Sequence, residues 1–128
     1  MRCTILKISC LFILVSCTSK TTRINQLVNS EKLEDRMEAY YLIGEKKDFS
    51  KIEIMFSRIN NSQISHNKKF YGMSEHYCIL IALKKISGLN PPNKINYYPD
   101  VENIHFYYDW AVKNGYTKNI DSIDSIDK

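Results

Sequence analysis

The sequence predicts an all-α fold, built as two stacked helical hairpins. Two observations carry this expectation. Apolar residues recur at three- and four-residue spacing in four successive segments, the period of one face of an α-helix. Glycine and proline are scarce, four and three in 128 residues, which argues against a turn-rich β-sandwich.

The first segment of the chain stands apart from this pattern. Arg2 and Lys7 make a positive N-terminus, and Ile8 to Val15 is an apolar run broken only by Ser9 and Cys10. Charge, then a run of roughly 7–15 apolar residues, then small residues is the order of a secretory signal. The run is shorter than the roughly 20 residues a spanning helix needs, and it meets Thr18, Ser19 and Lys20 directly. Its last residues, Leu14-Val15-Ser16-Cys17, resemble the lipobox of bacterial lipoproteins. Cys10 fits that position poorly, because Lys7 stands where an apolar residue is expected. The resemblance implies a cut before Cys17, a diacylglycerol thioether on that cysteine, and further acylation such as palmitate. Residues 1–16 would then be a signal peptide and residues 17–23 a lipidated tether. The location implied is the bacterial cell envelope, and the absence of Asp at position 18 favours the outer membrane of a diderm cell, facing the periplasm.

The helical domain is expected over residues 24–116. Ile24, Leu27 and Val28 give a brief stripe. Ser30 is a candidate N-cap for the next helix. Acids Glu31, Glu34 and Asp35 suit its start, and Lys46 and Lys47 suit its end, through the helix dipole. Leu33, Met37, Tyr40, Tyr41 and Gly44 share its apolar face. Asp48 or Ser50 caps a second helix with Ile52, Met55, Phe56 and Ile59 inward, ended by Asn60-Asn61-Ser62. Residues 61–73 form a polar connection with a turn at Gly72. Ser74 caps a third helix that runs to Ser87, with Gly88 in the usual C-terminal position. Its middle, Tyr77 to Leu83, is apolar almost all round, the mark of a helix enclosed by neighbours. Pro91-Pro92 forbids continuation. Asp100 caps a fourth helix with Ile104, Tyr107, Tyr108, Ala111 and Val112 inward and Trp110 near the edge, stopped by Asn114-Gly115. Residues 117–128 read as an acidic flexible tail, because their Ile-Asp-Ser repeat has period three, which suits neither helix nor strand.

Some local phrases resemble HEAT repeats. Arg36-Met37-Glu38-Ala39-Tyr40-Tyr41-Leu42-Ile43-Gly44 is similar to a first repeat helix, with Arg, Ala and then a small residue after an aliphatic. Leu83-Lys84-Lys85-Ile86-Ser87-Gly88 is similar to the end of the next one. Tyr107, Trp110 and Ala111 match a Trp-x-x-Trp-Ala phrase with Tyr for the first Trp. The resemblance implies a short HEAT-like solenoid that binds other macromolecules, and it carries no catalytic residues. With two hairpins where solenoids usually stack three or more, a compact helical bundle is the other architecture in view.

Charge and cysteine content narrow the function. Loss of residues 1–16 removes Arg2 and Lys7 and no acid, so the net charge of +4 falls by two, too near balance to suggest nucleic acid. Cys3 and Cys10 leave with the signal and Cys17 carries the lipid. Cys78 is then alone, no intramolecular disulfide forms, and its apolar setting suggests a buried thiol acting as a small hydrophobe.

No Cys-x-x-Cys, His-Glu-x-x-His, calcium loop, phosphate loop or nucleophile elbow occurs. No cofactor or metal is expected, and no catalytic residue. His105 and Asp109, four apart, are accounted for by ordinary helical pairing, and His76 and Cys78 point to different sides. Nine tyrosines include the doublets Tyr40-Tyr41, Tyr97-Tyr98 and Tyr107-Tyr108. Tyr97 and Tyr98, behind two prolines, are the leading candidates for partner binding, followed by Phe70 and Tyr71 beside Lys68 and Lys69. The function expected is a membrane-anchored, non-enzymatic module that binds an envelope protein. The alternative is a small periplasmic inhibitor or immunity protein that blocks a toxin or hydrolase.

Overall fold

The computed structural model describes residues 20–118. Residues 1–16, expected as a signal peptide, Cys17 and the residues from 119 onward lie outside the described residues. Helix α1 occupies residues 20–28, so residues 20–23, expected in the tether, are helical. Arg23 at that end binds Glu38 at 2.5 Å. Then follow α2 (Leu33–Lys46), a 3₁₀ turn (Phe49–Lys51) that leads directly into the short α3 (Ile52–Phe56), α4 (Glu75–Ser87) and α5 (Val101–Lys113). The protein is all-helical among the described residues, and an isolated antiparallel bridge joins Ile64 to Ser74.

The helix ends follow local chemistry. Ser74 Oγ accepts the Tyr77 N–H at 3.1 Å and Asp100 Oδ1 accepts the Asn103 N–H at 2.9 Å, each covering an N–H that has no partner inside its helix. Gly88 closes α4 at φ 70°, where a side chain would be strained. Lys47 takes the same left-handed turn after α2 at φ 51°. Ser30 sits two residues before the N-cap, Lys32, which has no side-chain cap. Its Oγ instead accepts the Lys32 N–H at 3.2 Å and donates to Asp35 Oδ2 at 2.7 Å, so it shapes the turn ahead of the helix.

The second helix is shorter than its apolar stripe predicts. Beyond Phe56 the bonds tighten to three-residue spacing, Arg58 N–H to Met55 O and Ile59 N–H to Phe56 O. Ser57 Oγ donates to Ile54 O, competing with the regular backbone pattern. Ile59 is nonetheless buried, as its place in the stripe demands.

Among α2 to α5 the largest helix packing joins α2 to α4, the first helices of the two expected hairpins. Gly44 permits it: a Cβ there would lie 3.1 Å from the Ala82 backbone. Ile24 and Val28, Tyr40 and Ile43, Ile52 and Met55, Ile79, Leu80 and Leu83, and Ile104 and Tyr107 bring all five helices into one core. The doublets divide differently. Tyr40 is buried while Tyr41 is exposed, but Tyr107 and Tyr108 are both buried. Tyr107 OH reaches Leu89 O on one side, and Tyr108 meets Phe56 edge-on at 5.4 Å on the other. α4 is also not enclosed all round. Ile79, Leu80, Leu83 and Ile86 are buried, whereas Tyr77, Cys78 and Ile81 are only half-buried.

Candidate functional site

The loop between α4 and α5 carries the leading sequence candidates. Tyr97 is 45% exposed and Tyr98 67%. Leu89 and Val101, at the two ends of the loop, are exposed as well. The loop is held from its middle. Asn93 N–H donates to Asn103 Oδ1 at 3.0 Å and Asn103 Nδ2 donates to Asn93 O at 3.1 Å, a reciprocal pair whose inner member is buried. Asn93 Nδ2 also donates to Glu102 at 2.8 Å. The Tyr98 N–H donates to Asn96 Oδ1 at 2.8 Å, which fixes the turn that presents the two rings. Tyr97 leans on Tyr77 of α4, with ring centres 5.1 Å apart.

Phe70 and Tyr71 separate. Tyr71 is 74% exposed, whereas Phe70 is half-buried in the wall of a groove between α2 and α4. That groove holds about 470 Å³ and is apolar, with Met37 and Tyr41 from α2, Phe70 and Met73 from the preceding loop, and Tyr77, Cys78 and Ile81 from α4. Its charged residues are paired. Lys69 binds Glu38 at 3.2 Å and Lys85 binds Glu45. The same two lysines lie over the rings of Phe70 and Tyr41 at 5.2 and 4.9 Å. Burial, and then the Glu75 carboxylate, push the Cys78 thiol up to about 12. This outward face of α4 and its groove were not among the sequence candidates.

A buried polar cluster was also missed. Glu75, the first residue of α4, is fully buried. It accepts from Arg36 Nε at 2.8 Å and Nη2 at 2.9 Å, from Tyr40 OH at 2.7 Å and from Asn61 Nδ2 at 2.5 Å. Both oxygens are thereby satisfied twice, the condition on which a charge survives burial. The Arg36 guanidinium is held above its ordinary range chiefly by its bond to Glu75, and burial first, then Glu75, raises the Tyr40 hydroxyl. Arg36 Nη1 also donates to the carbonyls of Ser30 and Glu31. The cluster ties α2, the α3–α4 connection and the start of α4 together. The signal in the sequence is that Arg36 interrupts the apolar side of α2 one turn before Tyr40.

His76 lies beside this cluster, fully buried. Its Nδ1 is 2.6 Å from Ile59 O, so Nδ1 carries the hydrogen and Nε2 keeps a lone pair with no partner among the described residues. Burial lowers the pKa of the ring. Elsewhere in the connection, Ser65 Oγ donates to Glu34 at 2.6 Å and lowers the pKa of that carboxyl. Among the described residues no three His, Cys, Asp or Glu side chains come together as a metal would require. No helix among them is long and apolar enough to cross a membrane.

No family model matches the chain, and neither does any curated protein or solved structure.

Proposed function

We propose that the protein is a lipid-tethered module of the bacterial cell envelope that works by binding another envelope protein, without catalysis. The observation that carries this reading is the α4–α5 loop. Leu89, Tyr97, Tyr98 and Val101 stand exposed on a segment already fixed by the Asn93–Asn103 pair. Large aromatic surface held in place before contact lowers the ordering cost of association, and tyrosine is enriched where such contacts carry binding energy. The tether follows from the lipobox phrase that ends at Cys17. The strongest polar cluster supports a role by contact, since Arg36, Tyr40 and Asn61 saturate Glu75 and leave it no lone pair for chemistry.

Crosslinking in the native membrane, followed by mass spectrometry, tests both parts. The wild type is expected to capture a defined partner. Tyr97→Ala and Tyr98→Ala weaken that capture by at least about 1 kcal/mol with little change in thermal midpoint. Cys17→Ala leaves a larger, unprocessed precursor. Capture that falls only as the fold melts assigns the two rings to packing. A processed protein with an unmodified N-terminus at another position removes the lipid.

A further inference from the structure

The apolar groove on α2 and α4 borders a second hollow of different chemistry. The second hollow holds about 340 Å³ beside the α4–α5 loop, and its lining includes Lys84, Pro91, Pro92, Lys94 and Ile95. Tyr77 and Ile81 line both hollows, so the two share a wall. In the groove the carboxylates of Glu38 and Glu45 are matched by Arg23, Lys69 and Lys85. The second hollow has two lysines and no carboxylate among its lining residues. Asp100 and Glu102, near in sequence, accept from Asn93 Nδ2. An apolar trough with a cationic end fits a ligand of the opposite pattern, an apolar body with an anionic end.

We propose that this composite groove binds a single-chain anionic amphiphile, with its acyl chain along Phe70, Met73 and Ile81 and its carboxylate or phosphate head at Lys84 and Lys94. A hydrocarbon chain suits the groove better than a peptide does. The polar groups on the groove wall are largely engaged with one another, and a peptide backbone laid there would bury N–H and C=O groups without partners. A methylene chain has none to satisfy. The volume lies within the range of about 300–1,000 Å³ usual for small-ligand sites. Two sources share this chemistry, free fatty acids and lysophospholipids. The inference does not rest on the protein-binding role of the tyrosine loop.

The test is calorimetric titration of the full chain carrying Cys17→Ser, so that no acyl group of its own competes. The probes are laurate, lauroyl lysophosphatidate and uncharged monolauroylglycerol, each kept below its micelle threshold. At least one anion is expected to bind saturably at one site, about tenfold or more tighter than the neutral probe. Saturation by laurate alone names fatty acid as the source, and by lysophosphatidate alone a phospholipid. Lys84→Glu with Lys94→Glu erases the preference at an unchanged thermal midpoint, since both side chains are exposed. Ile81→Ser weakens all probes together. The proposal is overturned if neither anion saturates, if the neutral probe binds equally well, or if the double charge reversal leaves the preference intact. A peptide of apolar residues with an acidic end that saturates the site when neither anion does would assign the groove to a protein instead.

Discussion

The inner face of α4, built from Ile79, Leu80, Leu83 and Ile86, lies in the core, while Tyr77, Cys78 and Ile81 on the outer face of the same helix are left half-covered in the groove. The two faces have similar apolar character. What separates them is neighbours. The inner face meets α2, α5 and the rest of the core, whereas the outer face is covered in part, by rims from α2 and the 68–73 loop and by Tyr97 of the α4–α5 loop against Tyr77. Hydropathy measures what a residue gains on leaving water. It does not say which element will be there to cover it. An apolar face that the fold leaves open is where a monomer has surface to offer a ligand.

Three measurements sharpen or break this contrast. The largest effect is expected at the root of the inner face. Glu75→Ala leaves Arg36 charged and nearly buried without its carboxylate, at a cost of about 3–5 kcal/mol in chemical denaturation. A loss below about 1 kcal/mol would mean that the cluster does not anchor α4. Next is the direct comparison of neighbours on opposite faces. Leu80→Ala is expected to cost about 2–5 kcal/mol, and Ile81→Ala well under half of that, because its side chain is already partly in water. Equal losses would erase the distinction between the faces.

The smallest effect is a pH dependence. Burial holds the His76 pKa below its ordinary 6.5 in the folded protein. The unfolded chain therefore takes up the proton first on acidification. Stability is full above about pH 6.5 and declines as pH falls through the folded value. Glu34, whose pKa lies below its ordinary 4.5, adds acid sensitivity only at lower pH. Thermal melts between about pH 7 and pH 5 should thus show a falling midpoint that His76→Gln flattens. An unchanged slope in that variant would place the titrating group elsewhere.

Much of the fold was legible because it is written locally. Ser74, Asp100 and Gly88 cap the helices that their chemistry suits, and the stripes of α2, α4 and α5 face inward as their spacing requires, except for exposed Tyr41 and half-buried Val112. The length of α3 was not legible, because Ser57 and the turns after it compete with a pattern that the stripe alone would continue. Tyr107 and Tyr108 are both buried because partners from two other segments reach α5, and neither partner is visible in the spacing. Arg36 and Glu75 are 39 residues apart, and only the packing of α2 on α4 brings them within bonding distance. For the candidate site, the sequence singled out Tyr97, Tyr98, Phe70 and Tyr71; the three tyrosines are exposed, and Phe70 is half-buried in the groove wall. The groove was out of reach, since it is made by the absence of a cover on α4.

Cys78 carries a consequence for redox chemistry. Thiol–disulfide exchange runs through the thiolate. With the thiol pushed up to about 12, very little of it is in that form at pH 7. The side chain is also half-covered by the groove walls. Cys78 is the free cysteine among the described residues, and an unpaired thiol is prone to mixed disulfides and cross-linked dimers wherever oxidised thiols circulate. Here the raised pKa and the partial cover both act to slow the reaction. Local opening of the groove would remove both protections at once, and maleimide labelling of Cys78 would report how often that happens.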